Sequence, residues 1–159
     1  MLAVGGCVST GHPLTEQAAA PPFDPIVFFA GRTEGRGRLK IAFKRPHVTL
    51  VEGRGRVNGD GTITLDQTVR RGYAAPTRRT WNLRRVAPGQ YVGSLTDATG
   101  PVTGKVVGSQ LHLAFAMKGG TRAEQWLYLQ PGGRTARNIM IVRKLGLPVA
   151  RLDETITRQ

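Results

Sequence analysis

Between Asp60 and Asp97 three runs of alternating residues follow one another with hardly a residue to spare. Gly61-Thr-Ile-Thr-Leu-Asp-Gln-Thr-Val69 sets Ile63, Leu65 and Val69 on one face and Thr62, Thr64, Asp66 and Thr68 on the other, the two-residue period of a half-buried strand. After Arg70-Arg71-Gly72-Tyr73-Ala74-Ala75-Pro76, the run Arg79-Thr80-Trp81-Asn82-Leu83 alternates again. Val86-Ala-Pro-Gly-Gln90 then turns the chain into Tyr91-Val-Gly-Ser-Leu95. Short turns between alternating runs predict an antiparallel meander.

The same pattern extends in both directions. Gly31–Ile41 and His47–Val57 read as strands before the meander, and 102–107, 110–117, 124–129, 135–142 and 149–157 as strands after it. Gly108-Ser109 and Gln130-Pro-Gly-Gly133 supply turns between them. No 3.6-residue apolar period persists for three turns, so the chain is all-β. About ten strands on short connections predict a single antiparallel up-and-down barrel, because a sheet that long curls until its edges meet. Phe23–Gly31 is a compact apolar entry, with a helical turn expected after Asp24 and Pro25 at its first position; it is expected to plug one end.

Two of the strands echo each other: Glu34-Gly-Arg-Gly-Arg-Leu39 returns as Glu52-Gly-Arg-Gly-Arg-Val57. Arginine-glycine segments that bind RNA are long, disordered and poor in aliphatics, whereas these copies lie inside alternating apolar runs. The echo therefore reads as strand design. If the strands pair with an odd sum of residue numbers, each Arg faces a Gly, and the unfavourable meeting of Arg with Arg is avoided. Gly35, Gly37, Leu39 and Ile41 share one face of the first strand, with Arg36, Arg38 and Lys40 on the other.

A chain of 159 residues with 40% hydrophobic content is of the size of one domain. Its net charge of +13 predicts attraction to polyanions such as nucleic acid or anionic phospholipid, without choosing between them. The single Cys7 excludes an internal disulfide framework. Met1-Leu-Ala-Val-Gly-Gly-Cys7 has the form of a bacterial lipobox, an aliphatic and two small residues before the cysteine that takes the lipid. The six residues before Cys7 are too few for a basic region and an apolar core, so the expected signal is partial and the start site is open to reassignment. Val8–Pro22, rich in Pro and Ala, has the composition of a tether. The expected organisation is 1–22 as partial signal and tether, and 23–159 as barrel. The expected address is the periplasmic side of a membrane, in the first instance the outer one.

Little in the sequence points to chemistry. His12, His47 and His112 are scattered and no convergent ligand spacing is visible, so neither metal nor cofactor is expected. Asp66 and Asp97, read as lying near strand ends, are the carboxylates that a hydrolase would use, and they read more simply as turn or cap residues. Trp81, Tyr91, Trp126 and Tyr128 fall on strands and are expected in the core or around a small apolar cavity. Arg79 shares the face of Trp81; an inward guanidinium needs an acid such as Asp97, or the anionic head of a ligand.

The entry Phe23-Asp24-Pro25 with Phe28-Phe29-x-Gly31, the run Gly59-Asp-Gly-Thr-Ile-Thr-Leu-Asp66, Arg79-Thr80-Trp81, Asp97-x-x-Gly100-x-x-x-Gly104, Trp126-x-Tyr128-Leu129 and Arg143-Lys144-x-Gly146 together resemble a bacterial family of lipocalin-like lipoproteins of unknown function. The resemblance runs from Phe23 to about Thr157. It implies a calycin-type barrel on a lipidated tether in the Gram-negative periplasm, with no established reaction. The chain departs from that family at Arg70-Arg71-Gly72, where an acidic Asp-Asp-Gly turn is usual.

These readings lead to a lipid-anchored, non-enzymatic, monomeric barrel. It holds a small apolar or amphipathic ligand near Arg79, Trp81, Tyr91, Asp97, Trp126 and Tyr128, or serves as an envelope accessory factor. Arg36, Arg38, Lys40, Arg70 and Arg71 are the expected contacts to an anionic lipid surface. A basic nucleic-acid-binding β module is the alternative, and a hydrolase is a further one.

Overall fold

The computed structural model describes residues 20–159. The expected lipobox with Cys7, His12 and most of the expected tether lie outside them. The short helix α1 (Pro25–Phe29) precedes ten strands: β1 (Gly31–Ile41), β2 (His47–Val57), β3 (Ile63–Arg71), β4 (Thr77–Ala87), β5 (Gln90–Leu95), β6 (Val102–Val107), β7 (Gln110–Met117), β8 (Thr121–Leu129), β9 (Thr135–Lys144) and β10 (Leu147–Arg158). Each pairs antiparallel with its neighbours in sequence, and β1 pairs with β10, so the sheet closes into an up-and-down barrel. Closure gives every edge a partner, which an open sheet of this size lacks.

Strand alternation decides what enters the lumen. Ile63, Leu65, Trp81, Leu83, Leu111, Leu113, Phe115, Leu127, Leu129 and Ile156 are all buried, and they form one core with the plug. The plug starts where expected. Asp24 caps α1 by accepting from the amides of Ile26 at 2.9 Å and Val27 at 3.2 Å, and Pro25 fills the first turn, where no amide donor is needed. Phe23 and Phe28, both buried, pack with ring centroids 5.3 Å apart and seal the end of the barrel. Burying two such rings contributes about 1.5–3 kcal/mol each.

The Gly-Arg-Gly-Arg echo is strand design, but the expected register is wrong. Glu34 lies opposite Glu52 and Arg32 opposite Arg54, an even sum, while Arg36 faces Leu50 and Arg38 faces Val48. The glutamate pair is relieved from the sides: Glu34 takes Arg36 on its own strand, and Glu52 takes Arg70 of β3 at 2.9 Å. The register is set from inside. A Cβ on Gly55 would run into the carbonyl of Phe29 in the plug, and one on Gly35 into the Glu154 carboxylate. The glycines leave room for what the lumen holds, and the alternating arginines are the outward residues that this spacing requires.

Candidate functional site

Four polar side chains interrupt the apolar inner face at one level of the barrel. Gln67 stands between Leu65 and Val69 on β3, Gln125 between Ala123 and Leu127 on β8, Asn138 beyond Ala136 on β9, and Glu154 between Leu152 and Ile156 on β10. Arg79 of β4 lies opposite Gln67 in the ladder. The Gln67 Oε1 atom accepts from Arg79 Nε at 2.8 Å and from Trp81 Nε1 at 2.9 Å. The guanidinium lies 5.8 Å from the centre of the Trp81 ring, and that ring meets Phe115 edge to face at 5.5 Å. On the facing wall Asn138 Nδ2 donates to Glu154 Oε2 at 2.9 Å. Glu154 Oε1 and Asn138 Oδ1 are buried without a hydrogen-bond partner among the described residues.

Beneath the plug a cavity of about 50 Å³ reaches this belt. Pro25 and Phe29 form part of its wall at the plug, and Leu65, Leu113 and Ile156 belong to its apolar sides. Gln67, Arg79, Trp81, Gln125, Asn138 and Glu154 are its polar lining. A water needs about 10–15 Å³ by this measure, so the space suits a few waters or one small polar group. A pocket for a drug-sized molecule is several times larger.

The electrostatics follow from burial. Burial pulls the Arg79 guanidinium below its ordinary range, with Arg71 acting in the same direction and Glu154 and Asp97 opposing. Burial also pushes the Glu154 carboxyl above the ordinary carboxylate range, while the Asn138 hydrogen bond and the Arg79 charge pull it down. A carboxyl raised in the folded state contributes stability that is complete below its ordinary value, 4.5, and is lost as pH rises through the raised one. The melting temperature should therefore fall over that window. Glu154→Gln should flatten the profile and gain a few degrees over the wild type at pH values above it, since about 1 kcal/mol corresponds to roughly 2–4 °C in a chain of this size. Parallel wild-type and variant profiles would contradict this.

The belt gathers some of the sequence candidates and leaves others outside. Trp81 and Arg79 line the cavity, but Arg79 finds Gln67 rather than Asp97 as its hydrogen-bond partner. Asp97 is exposed in the connection between β5 and β6 and acts on Arg79 only through its field. Tyr91 is buried but lies outside the cavity lining. Its hydroxyl accepts from Arg85 Nη2 at 2.9 Å, and Arg85 in turn reaches the Asp24 cap at 3.3 Å, tying the plug to β4 and β5. Trp126 and Tyr128 point away from the lumen, because Ala123, Gln125, Leu127 and Leu129 occupy the inward positions of β8. Trp126 stacks on His112 at 5.1 Å on the outer wall, beside an ion cluster in which Glu124 meets His112 at 2.9 Å and Arg143 at 3.1 Å. Asp66 lies mid-strand rather than near an end; it faces outward and accepts from Thr80 Oγ1 at 2.6 Å.

The five basic candidates divide as well. Arg36 and Arg70 flank Leu50 on the outer wall, and Arg38 and Lys40 lie further along the same face of β1. Arg70 and Arg71 end β3 instead of forming a loop. Arg71 pairs with the inward Thr49, so the two arginines point to opposite faces.

Sequence reasoning missed Gln67, Gln125, Asn138 and Glu154. The signal was a polar residue in the apolar phase of four separate strands, which gains meaning only once the strands are known to align at one height.

Comparison with solved structures finds the same fold elsewhere. The S-type phycobiliprotein lyase CPES from Guillardia theta matches with a TM-score of 0.67 over 84% of this chain and 90% of that one, at 7% identity. A protein of unknown function from the DUF3598 family of Nostoc punctiforme matches at 0.64 and 13% identity, covering 94% of this chain and 53% of its own. Rv2717c from M. tuberculosis matches at 0.62 and 21% identity, covering 86% and 99%. At these identities the likeness is one of fold, and it agrees with a lipocalin-like barrel. No curated protein sequence matches the chain. The family model for the protein of unknown function DUF3833 spans residues 1–158, and the chain belongs to that family.

Proposed function

We propose that the protein is a lipid-anchored barrel of the cell envelope whose lumen binds a small amphipathic molecule by its polar head. The observation that carries the reading is the pair of orphaned acceptors, Glu154 Oε1 and Asn138 Oδ1, beside a cavity that also receives Arg79. Buried polar atoms are ordinarily satisfied, and leaving one bare costs about 1–3 kcal/mol. A ligand head that both accepts and donates would serve all three groups. Its carboxylate oxygen takes the free guanidinium donors of Arg79, and a hydroxyl or amine donates to Asn138 or Glu154. The apolar remainder would lie against Leu65, Leu113 and Ile156. The cavity admits a head of a few heavy atoms, so a longer tail requires α1 to lift. Solved barrels of this fold include a phycobiliprotein lyase, which is compatible with a lumen that handles a small molecule.

Trp81 reports directly on the site. With Trp126→Phe removing the outer indole, titration with a medium-chain hydroxy acid should give a saturable change in Trp81 fluorescence. Arg79→Gln should weaken binding about tenfold or more, since a charge-assisted hydrogen bond contributes about 1.5–3 kcal/mol. The corresponding neutral alcohol should bind weakly to both proteins. Absence of a saturable response to either class would end the lumen reading. The envelope address rests on Val4-Gly5-Gly6-Cys7, and its measure is an acylated Cys7 in the membrane fraction.

A further inference from the structure

The barrel has two unlike ends. The β2–β3, β4–β5, β6–β7 and β8–β9 connections share one end with the plug, and the β1–β2, β3–β4, β5–β6, β7–β8 and β9–β10 connections form the other. Turns at the plug end consist of Asn, Gly, Asp, Thr, Pro, Ser and Gln with one basic residue, Arg134, and the exposed apolar side chains there are valines. At the far end the tips carry large ones. Phe43 in the β1–β2 connection, Tyr73 in β3–β4 and Leu145 in β9–β10 are 107%, 110% and 94% exposed, with Leu147 at 70%.

Backbone geometry singles out the same tips. Phe43 and Leu145 are, among the described residues, the two non-glycine residues with positive φ, at 61° and 49°. Glycine or asparagine takes that conformation at least cost, and a bulky side chain there is disfavoured. These two positions thus hold a large apolar residue where both solvent exposure and backbone oppose it, and residues held so cluster at functional sites. Around them stand Lys44, Arg45, Arg71, Lys118 and Lys144, and the connections of this end contain one carboxylate, Asp97.

We propose that the end opposite the plug is a membrane-docking face, whose tips Phe43, Tyr73 and Leu145 insert between the headgroups of an anionic bilayer while the surrounding basic residues meet the phosphates. Aromatic and leucine side chains are favoured in the interfacial zone, and lysine and arginine are attracted to anionic lipid over about a Debye length. The chemistry fits lipid better than a folded partner: the apolar groups are separate tips on three different hairpins, and the charge around them is nearly all of one sign. This goes beyond ligand binding in the lumen, which is reached beneath the plug at the other end and could fail independently.

The test uses the full-length chain with Cys7→Ser, so that no acyl group contributes. It should cosediment with vesicles of phosphatidylcholine containing phosphatidylglycerol, and it should be released by salt. The triple variant Phe43→Asn, Tyr73→Ser, Leu145→Asn should lose about tenfold or more of the binding. Its melting temperature should be unchanged or raised, because asparagine accepts positive φ. Neutralising Lys44, Arg45, Lys118 and Lys144 to Gln should abolish the preference for anionic over neutral vesicles. The proposal is overturned by equal binding to pure phosphatidylcholine, by no binding at low salt, or by undiminished binding of the triple variant. It is equally overturned if the wild type self-associates and the triple variant does not, for the tips would then be a protein contact.

Discussion

Gly55→Ala is expected to lower the stability of the protein by about 2–4 kcal/mol, although it adds a single methyl group. The new Cβ would be driven into the Phe29 carbonyl and would also lie 3.2 Å from Ile63 Cδ1. The first obstacle is backbone at the end of α1, so it can yield only if the helix moves. Moving the helix draws Phe23 and Phe28 out of the core and breaks the bridge from Arg85 to Asp24. Gly59→Ala is the control, because a Cβ there meets nothing within 4 Å; its effect should stay within about 0.5 kcal/mol. Thermal melts should separate the two by roughly 5–15 °C at about 2–4 °C per kcal/mol. Limited proteolysis should cut Gly55→Ala between Ala20 and Gly31 while leaving the control intact. Matching melting curves would mean that the plug is not held as the structure shows.

Trp81→Ala should cost about 3–5 kcal/mol, the range for removing a large buried aromatic. The indole is 7% exposed, meets Phe115 edge to face and donates to Gln67. Its loss leaves a void beside the existing cavity and removes the ring against which Arg79 lies. Trp81→Phe tests the parts separately. It keeps most of the apolar volume and forfeits the hydrogen bond, yet the Gln67 oxygen still has Arg79 as a donor, so the loss should be about 1–2 kcal/mol. Urea unfolding of the two variants should order them in this way. An alanine variant as stable as the phenylalanine one would show that the belt, and not the ring packing, organises this level of the barrel.

The outer wall carries many ion pairs that should matter far less. Arg36–Glu34, Arg70–Glu52 and Arg151–Asp153 are substantially exposed, and such pairs contribute about 0–1 kcal/mol. The outer arginines of β1 and β2 occupy the phase opposite inward glycines, whereas in the lumen Arg79 and Trp81 converge on one oxygen of Gln67 and Asn138 donates to Glu154.

The strands, their approximate number and their closure were legible in the residues alone. Two-residue alternation with short turns leaves an antiparallel sheet as the only way to bury one face, and a sheet of ten strands closes to satisfy its edges. The plug was legible as well, because Asp24-Pro25 is a local start signal that needs no distant partner. Where both phases of a strand were apolar, alternation could not decide which faced inward. Trp126-Leu127-Tyr128-Leu129 is such a run, and only the neighbouring strands turned Leu127 and Leu129 to the core and the two large rings outward. The β1–β2 register was undecided in the same way. Cross-strand charge was the only local guide to it, while the deciding contacts, Gly55 with the plug and Gly35 with Glu154, come from elements distant in sequence. The polar belt is the clearest case. Gln67, Arg79, Asn138 and Glu154 come from four strands, β3, β4, β9 and β10, and each alone reads as a blemish in an apolar face. Barrel closure, with the stagger of antiparallel ladders, brings them to one height, where hydrogen bonding and desolvation give them their chemistry.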